Sequence, residues 1–134
     1  MAQPVLFPDV EALLVDYLTS EFTGRGESAT VHVTVPHPRP AAFVIVPRIG
    51  GQARNFVVDT PTIGVEAWAG TDQRALELCQ LARAFIRALP GQTLAGTMFY
   101  SVGEFAGPTR LPDPLSQQSR YIYTPTLTCR GTAI

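Results

Sequence analysis

The chain has no lysine, and all ten of its basic residues are arginine. A GC-rich coding bias accounts for this; selection for planar, bidentate contacts is the alternative. The arginines are scattered without a run of like charge, and the formal net charge is −1. Neither a basic stripe nor a global field is there to draw in nucleic acid or an anionic membrane. Charged residues make up 16% of the chain against 46% hydrophobic ones, which excludes a disordered polyelectrolyte. The two cysteines, Cys79 and Cys129, lie far apart and outside any CxxC or Cys/His cluster. That spacing argues against structural zinc and for two buried free thiols. Nothing approaches the roughly 18 continuous apolar residues of a membrane span. No basic stretch followed by an apolar run opens the chain, so no signal peptide is expected, and a soluble protein made in the cytoplasm is.

Catalytic signatures are missing as well. The glycines spell neither GxGxxG nor a P-loop, and no GxSxG elbow is present. The two histidines, His32 and His37, fall on a strand and the loop after it, whereas a zinc-binding HExxH needs a helix. A triad of Ser101, His37 and Asp59 can be drawn, but a chain of this length offers such choices by chance. Trp68, Phe99, Tyr121 and Tyr123 read as core or subunit contacts rather than a stacking platform for single strands. The chain is read as non-enzymatic, with no catalytic residue, metal ligand or cofactor.

What is present is the pattern of one domain over residues 1–134, long enough for a single core. Val10, Leu13, Leu14, Tyr17 and Leu18 recur at helical spacing, with Pro8, Asp9 and Glu11 at the start and Gly24 and Gly26 at the end. From Ala29 the period becomes two, predicting a half-buried strand over 31–35. Further strands are predicted over 42–46, 55–59, 62–69, 97–102 and 120–130. Gly50-Gly51 and Asp59-Thr60-Pro61 read as breaks, and Pro125 as the mark of an edge or a bulge. Thr71 caps a second helix whose stripe is Ala75, Leu78, Cys79, Ala82, Phe85, Ile86 and Leu89, stopped by Pro90-Gly91. Residues 104–119, with Pro108, Pro112 and Pro114, read as a long mobile loop.

The fold expected is therefore α+β: a mixed, mainly antiparallel sheet of about five to six strands with two helices packed on one face. Trp68 would lie on the uncovered face, exposed or buried against another subunit.

Several blocks together resemble the tail terminator proteins of long-tailed, siphovirus-type bacteriophages of GC-rich actinobacterial hosts. They are PDVEALLVDYL (8–18), VPHPRPAAFVIVPRIGG (35–51), RNFVVDTPTIGVEAWA (54–69), the helix that follows, and LPDPLSQQSRYIYTPTLTCRGT (111–132). In order, they cover nearly the whole chain. The resemblance implies a structural virion protein at the head–tail interface. Such a subunit forms a homohexameric ring that caps the tail tube, stops tube growth and offers a surface for head–tail joining. Its implied partners are its own copies, the tail tube protein and a head-completion or neck protein. DNA would only pass through the lumen, unread, and no membrane is involved. A neck connector of the same phages is the alternative.

On this reading the stiff connector PHPRP (36–40) is a pre-extended loop, since its prolines fix φ at three positions. A plain rigid crossover is the other reading. Arg39 at its centre offers a planar fork across a subunit boundary. Candidate interface residues are His37, Arg39, Arg54, Asp59, Glu66, Trp68, Arg110 and Asp113. Arg54, Asp59 and Glu66 pair either between subunits or within one chain, the latter slightly favoured. The loop 104–119 and the arm 1–7 are expected to become ordered on a partner.

Overall fold

The computed structural model describes residues 3–134, so the start of the expected arm, Met1 and Ala2, lies outside the described residues. The rest of the arm contains a short strand, β1 (Val5–Leu6). Helix α1 (Val10–Arg25) begins where Asp9 accepts from the Ala12 N–H at 3.1 Å. It stops at Gly26, whose φ of +80° is a left-handed cap, and the Glu27 N–H returns to the Phe22 carbonyl at 2.8 Å. Strand β2 (Thr30–His32) runs parallel to β3 (Phe43–Ile45), and the proline connector makes the crossover. Strands β4 (Arg48–Ala53) and β5 (Val58–Ile63) form an antiparallel hairpin, and Gly64 separates β5 from β6 (Val65–Ala69). Thr71 caps helix α2 (Asp72–Arg87), accepting from the Arg74 N–H at 3.2 Å. Strand β7 (Thr93–Leu94) turns into a long β8 (Thr97–Arg110), which pairs with β9 (Ser119–Arg130). Finally β10 (Thr132–Ala133) ties β1 down in a separate two-stranded ribbon.

The architecture is α+β, with two helices and one curled, mainly antiparallel sheet of eight strands. Its hub is β9. One edge of β9 carries β8; the other carries β6 along residues 119–123 and β5 along 126–130. The sheet then widens through β3 and β2 beyond β6, and through β4 beyond β5.

Strand alternation sorts the side chains onto two faces. Val65 and Ala67 point one way and join Val44, Tyr123, Leu127 and Cys129 under the helices. Leu14, Leu18 and Phe22 of α1, with Leu78, Ala82 and Ile86 of α2, complete that cluster. On the reverse face Phe43, Ile45 and Trp68 form a second, smaller cluster with Val35 against it.

Several sequence expectations need correction. Residues 104–110 are strand, not loop, so the irregular segment shrinks to 111–118. Register shifts at Glu104/Ala106 and Ala106/Thr109 absorb the glycine and proline that suggested a loop. Gly50-Gly51 lies within β4. Gly51 has φ +91°, and a Cβ there would overlap the Thr60 carbonyl, so this strand position requires glycine. The turn falls at residues 54–57 instead, where Asn55 Oδ1 accepts from the N–H groups of Val57 and Val58, both at 2.9 Å. Consequently β5 starts at Val58 and runs through Asp59-Thr60-Pro61 without a break. The strand predicted over 62–69 is divided at Gly64, and the one over 31–35 ends at His32. Pro125 sits in the hub strand, beside the β8 irregularity and between the stretches of β9 that pair with β6 and β5. A missing N–H is tolerated at such a junction.

Candidate functional site

Trp68 is the centre of the most elaborate side-chain arrangement outside the main core. It is buried rather than exposed, because the chain's own connector and the 111–118 segment fold back over it. Its ring stacks on Phe43 at 5.4 Å and 14°. Two guanidinium groups, Arg39 and Arg120, each lie 5.0 Å from its centroid. The ring's quadrupole attracts both cations, and their flat apolar faces help to keep water off the indole. Among the described residues its Nε1–H has no hydrogen-bond partner.

Each arginine also ties down a second segment. Arg39 Nη1 reaches Asp113 at 3.5 Å and Gln118 at 3.3 Å, joining the connector to the 111–118 segment. Asp113 is itself fixed, accepting from the N–H groups of Ser116 at 3.1 Å and Leu115 at 3.4 Å. Its carboxyl is held below the ordinary aspartate range, first by the Ser116 side chain and last by Arg39. Arg120 stands opposite Trp68 in the β6–β9 register, donates to Glu66 at 3.2 Å and donates to the Leu111 carbonyl at 2.8 Å. Arg39, Glu66, Trp68 and Asp113 thus converge from three separate stretches of sequence. Leu115, at the tip of the 111–118 segment, is 91% exposed.

The other candidates lie elsewhere. Asp59 is buried on the helix face, and its partner is Arg48, at 2.7 and 3.3 Å, not Arg54. Arg54 is exposed in the turn before β5, and among the described residues its side chain has no ion-pair partner. Arg110 pairs with Asp72 at 2.8 Å, at the start of α2. His37 is exposed on the connector. Five of the eight candidates therefore make ion pairs within one chain. Arg48, Gln118 and Arg120 were missed. For Arg120 a signal existed: it precedes the alternating run YIYT, so a strand there turns it to the face opposite Tyr121 and Tyr123.

Among the described residues no group of three His, Cys, Asp or Glu is placed to hold a metal ion. Burial pushes the thiol of Cys79 up to about 12 and that of Cys129 to about 11, so both stay protonated at neutral pH. Ser101 donates to Thr128 at 2.9 Å on the reverse face, whereas Asp59 faces the helices, so the drawable triad is not assembled. Phe99 and Tyr123 lie in the helix-side core with Tyr121 packed against it, on the face opposite Trp68, so the four aromatics form no common platform. Tyr123 lies under Arg83, 5.7 Å from its ring, and Arg83 pairs with Glu104 at 2.7 Å. Neither helix is long and apolar enough to cross a membrane. No protein-family model matches the sequence, and no curated protein matches it either.

Proposed function

We propose that this chain is a structural virion subunit, a tail terminator of a long-tailed bacteriophage that closes the tail tube as a homomeric ring. One observation carries the reading beyond the sequence resemblance itself. Three of the blocks that bear the resemblance, 35–51, 54–69 and 111–132, contribute Arg39, Trp68 and Asp113 with Arg120 to a single arrangement. Beside them Leu115 and Leu111 are exposed, with Phe105 on β8 also open to solvent, which suits a face that docks.

On this reading the arginine-capped tryptophan stiffens a docking rim rather than forming ion pairs across a boundary. The partners are the tail tube protein on one side and a head-completion protein on the other. DNA passes through the lumen without being read, and the site calls for no cofactor or catalysis. The test is electron microscopy of lysate from a phage in which this gene is silenced. Overlong, headless tubes beside filled heads are the expected result. Tails of normal length that fail to join heads would move the protein to the neck. Intact infectious particles would overturn the reading.

A further inference from the structure

Around residues 124–130 of the hub strand, the strand order is β8-β9-β5-β4, and both outer strands are open. All six residues of β4 are exposed. Arg54 turns its N–H to the Val58 carbonyl at 2.8 Å. By the alternation of an antiparallel pair, Ala53 and Gly51 turn theirs outward. On the far side, β7 and the residues before it pair with β8 as far as Phe99, whose N–H donates to the Gln92 carbonyl at 3.0 Å and whose carbonyl accepts from the Gly91 N–H at 2.8 Å. Among the described residues the outer edge has no strand partner from Tyr100 to Arg110. Edges this open are normally blunted by lysine, by inward charge or by a covering segment. This chain has no lysine, and β4 has no proline. Arg48 donates to the Gly50 and Gly51 carbonyls at one end of β4, and β8 carries Pro108 and three register shifts. Each edge is therefore blunted over part of its length and bare over the rest. Apolar side chains flank both edges: Ile49 and Phe56 at β4, Tyr100 and Phe105 at β8.

We propose that the β4 edge of one copy pairs with the β8 edge of a second copy of this chain. A second copy is the occupant because the two edges are the opposite ends of one sheet. Each copy therefore presents both halves of the same joint, and pairing continues the sheet from chain to chain. Among the described residues Arg54, next to β4, has no ion pair and stays free for a contact there. Such a contact is heterologous: it closes as a ring or propagates as an open filament. The strand joint stands on these edges alone; its closure into a ring rests on the function proposed above.

The experiment uses native mass across a concentration series, on the full-length wild type and three variants. Ala53→Pro removes an outward N–H without breaking a bond to β5, and Ala53→Lys charges the same edge without touching the backbone. Phe105→Lys charges the β8 edge. Wild type is expected to form assemblies larger than a dimer. Each variant alone is expected to lose self-association by at least about tenfold in concentration, as for any linked assembly. An equimolar mixture of an Ala53 variant with Phe105→Lys retains one intact joint and should stop at a one-to-one dimer. Wild type that stays monomeric at the highest concentration overturns the proposal. So do variants that assemble like wild type, or a mixture that gives no dimer. Failure of the function reading looks different: assemblies form through β4 and β8, yet silencing the gene leaves tails and infectivity unchanged.

Discussion

Beneath the helices, the sheet turns Val44, Val65, Ala67, Tyr123 and Leu127 into a dry cluster closed by Leu14, Leu18, Leu78 and Ile86. On the reverse face, Phe43, Ile45 and Trp68 are sealed by two arginines and a proline connector. The strands are the same, but the covers differ in kind. A helix buries a continuous apolar stripe, so the first cover is held by shape and by the transfer of methyl and methylene groups from water. Each arginine on the second face rests on an aromatic ring and a short list of polar partners. Such a cover can be tight when closed, yet separable at modest cost. The surface proposed for docking therefore coincides with the weaker of the two covers.

The largest expected effect breaks the strong cover. Leu78 is completely buried between α2 and the sheet. Leu78→Ala should lower stability by about 2–5 kcal/mol through lost transfer energy and the cavity left behind. Urea unfolding monitored by Trp68 emission measures it. A loss below about 1 kcal/mol would mean that this face repacks freely, and the contrast between the covers would dissolve.

The helix side was legible in the sequence because its signals are periodic. Ala75, Leu78, Cys79, Ala82 and Ile86 repeat at helical spacing, and Thr71 announces the start. Strand existence was legible in the same way, from alternation in residues 62–69. Boundaries were not legible where glycine and proline serve inside strands. Gly51 meets a close backbone approach, Pro61 lies within β5, and Pro125 falls at a junction between strand partners. Locally each resembles a break, and only the neighbouring strand makes it tolerable. The tryptophan cover was half legible. Arg39 and Asp113 were singled out, but as contacts across a boundary, because their separation by 74 residues hides that they meet. Asp59 is grouped in the sequence with Arg54 and Glu66, the charged residues of one block. The hairpin instead places Arg48 beside it, eleven residues away.

The second prediction tests the weaker cover directly. Trp68 is the single tryptophan, so its emission reports on the arginines stacked against it. Arg39→Ala should cost only about 0.5–1 kcal/mol, the scale of a partly exposed cation–aromatic contact. Emission should shift to the red as water reaches the indole, while helix and strand content stay unchanged. If Trp68 emission does not move, Arg39 does not cover the ring in solution, and the connector is a plain crossover. A loss comparable to that of Leu78→Ala would erase the distinction between the two faces.

The smallest effect asks whether charge on the helix side is local reinforcement rather than a cover. Glu27, just after α1, receives two hydrogen bonds from Arg74 in the first turn of α2, at 2.7 and 2.6 Å. Arg74 lowers the Glu27 carboxyl below its ordinary value of 4.5, and burial opposes that in part. A carboxyl with a depressed value in the folded state adds stability above its unfolded value and loses it as pH falls through the folded value. The Glu27 side chain is nearly covered, but the Arg74 side chain is about a third exposed and screened by water, so the pair's worth near neutrality is about 1 kcal/mol. Glu27→Gln should therefore be less stable than the parent at about pH 7 and approach it at about pH 3, as protonation removes the parent's advantage. Urea midpoints at the two pH values measure the gap. A gap that stays constant would mean that Glu27 acts through its shape and neutral hydrogen bonds, including the Ala29 N–H at 2.8 Å. A gap that closes on acidification would leave the ion pair as an addition to a face already held by apolar packing. Across the sheet, by contrast, removing an arginine exposes the aromatic ring itself.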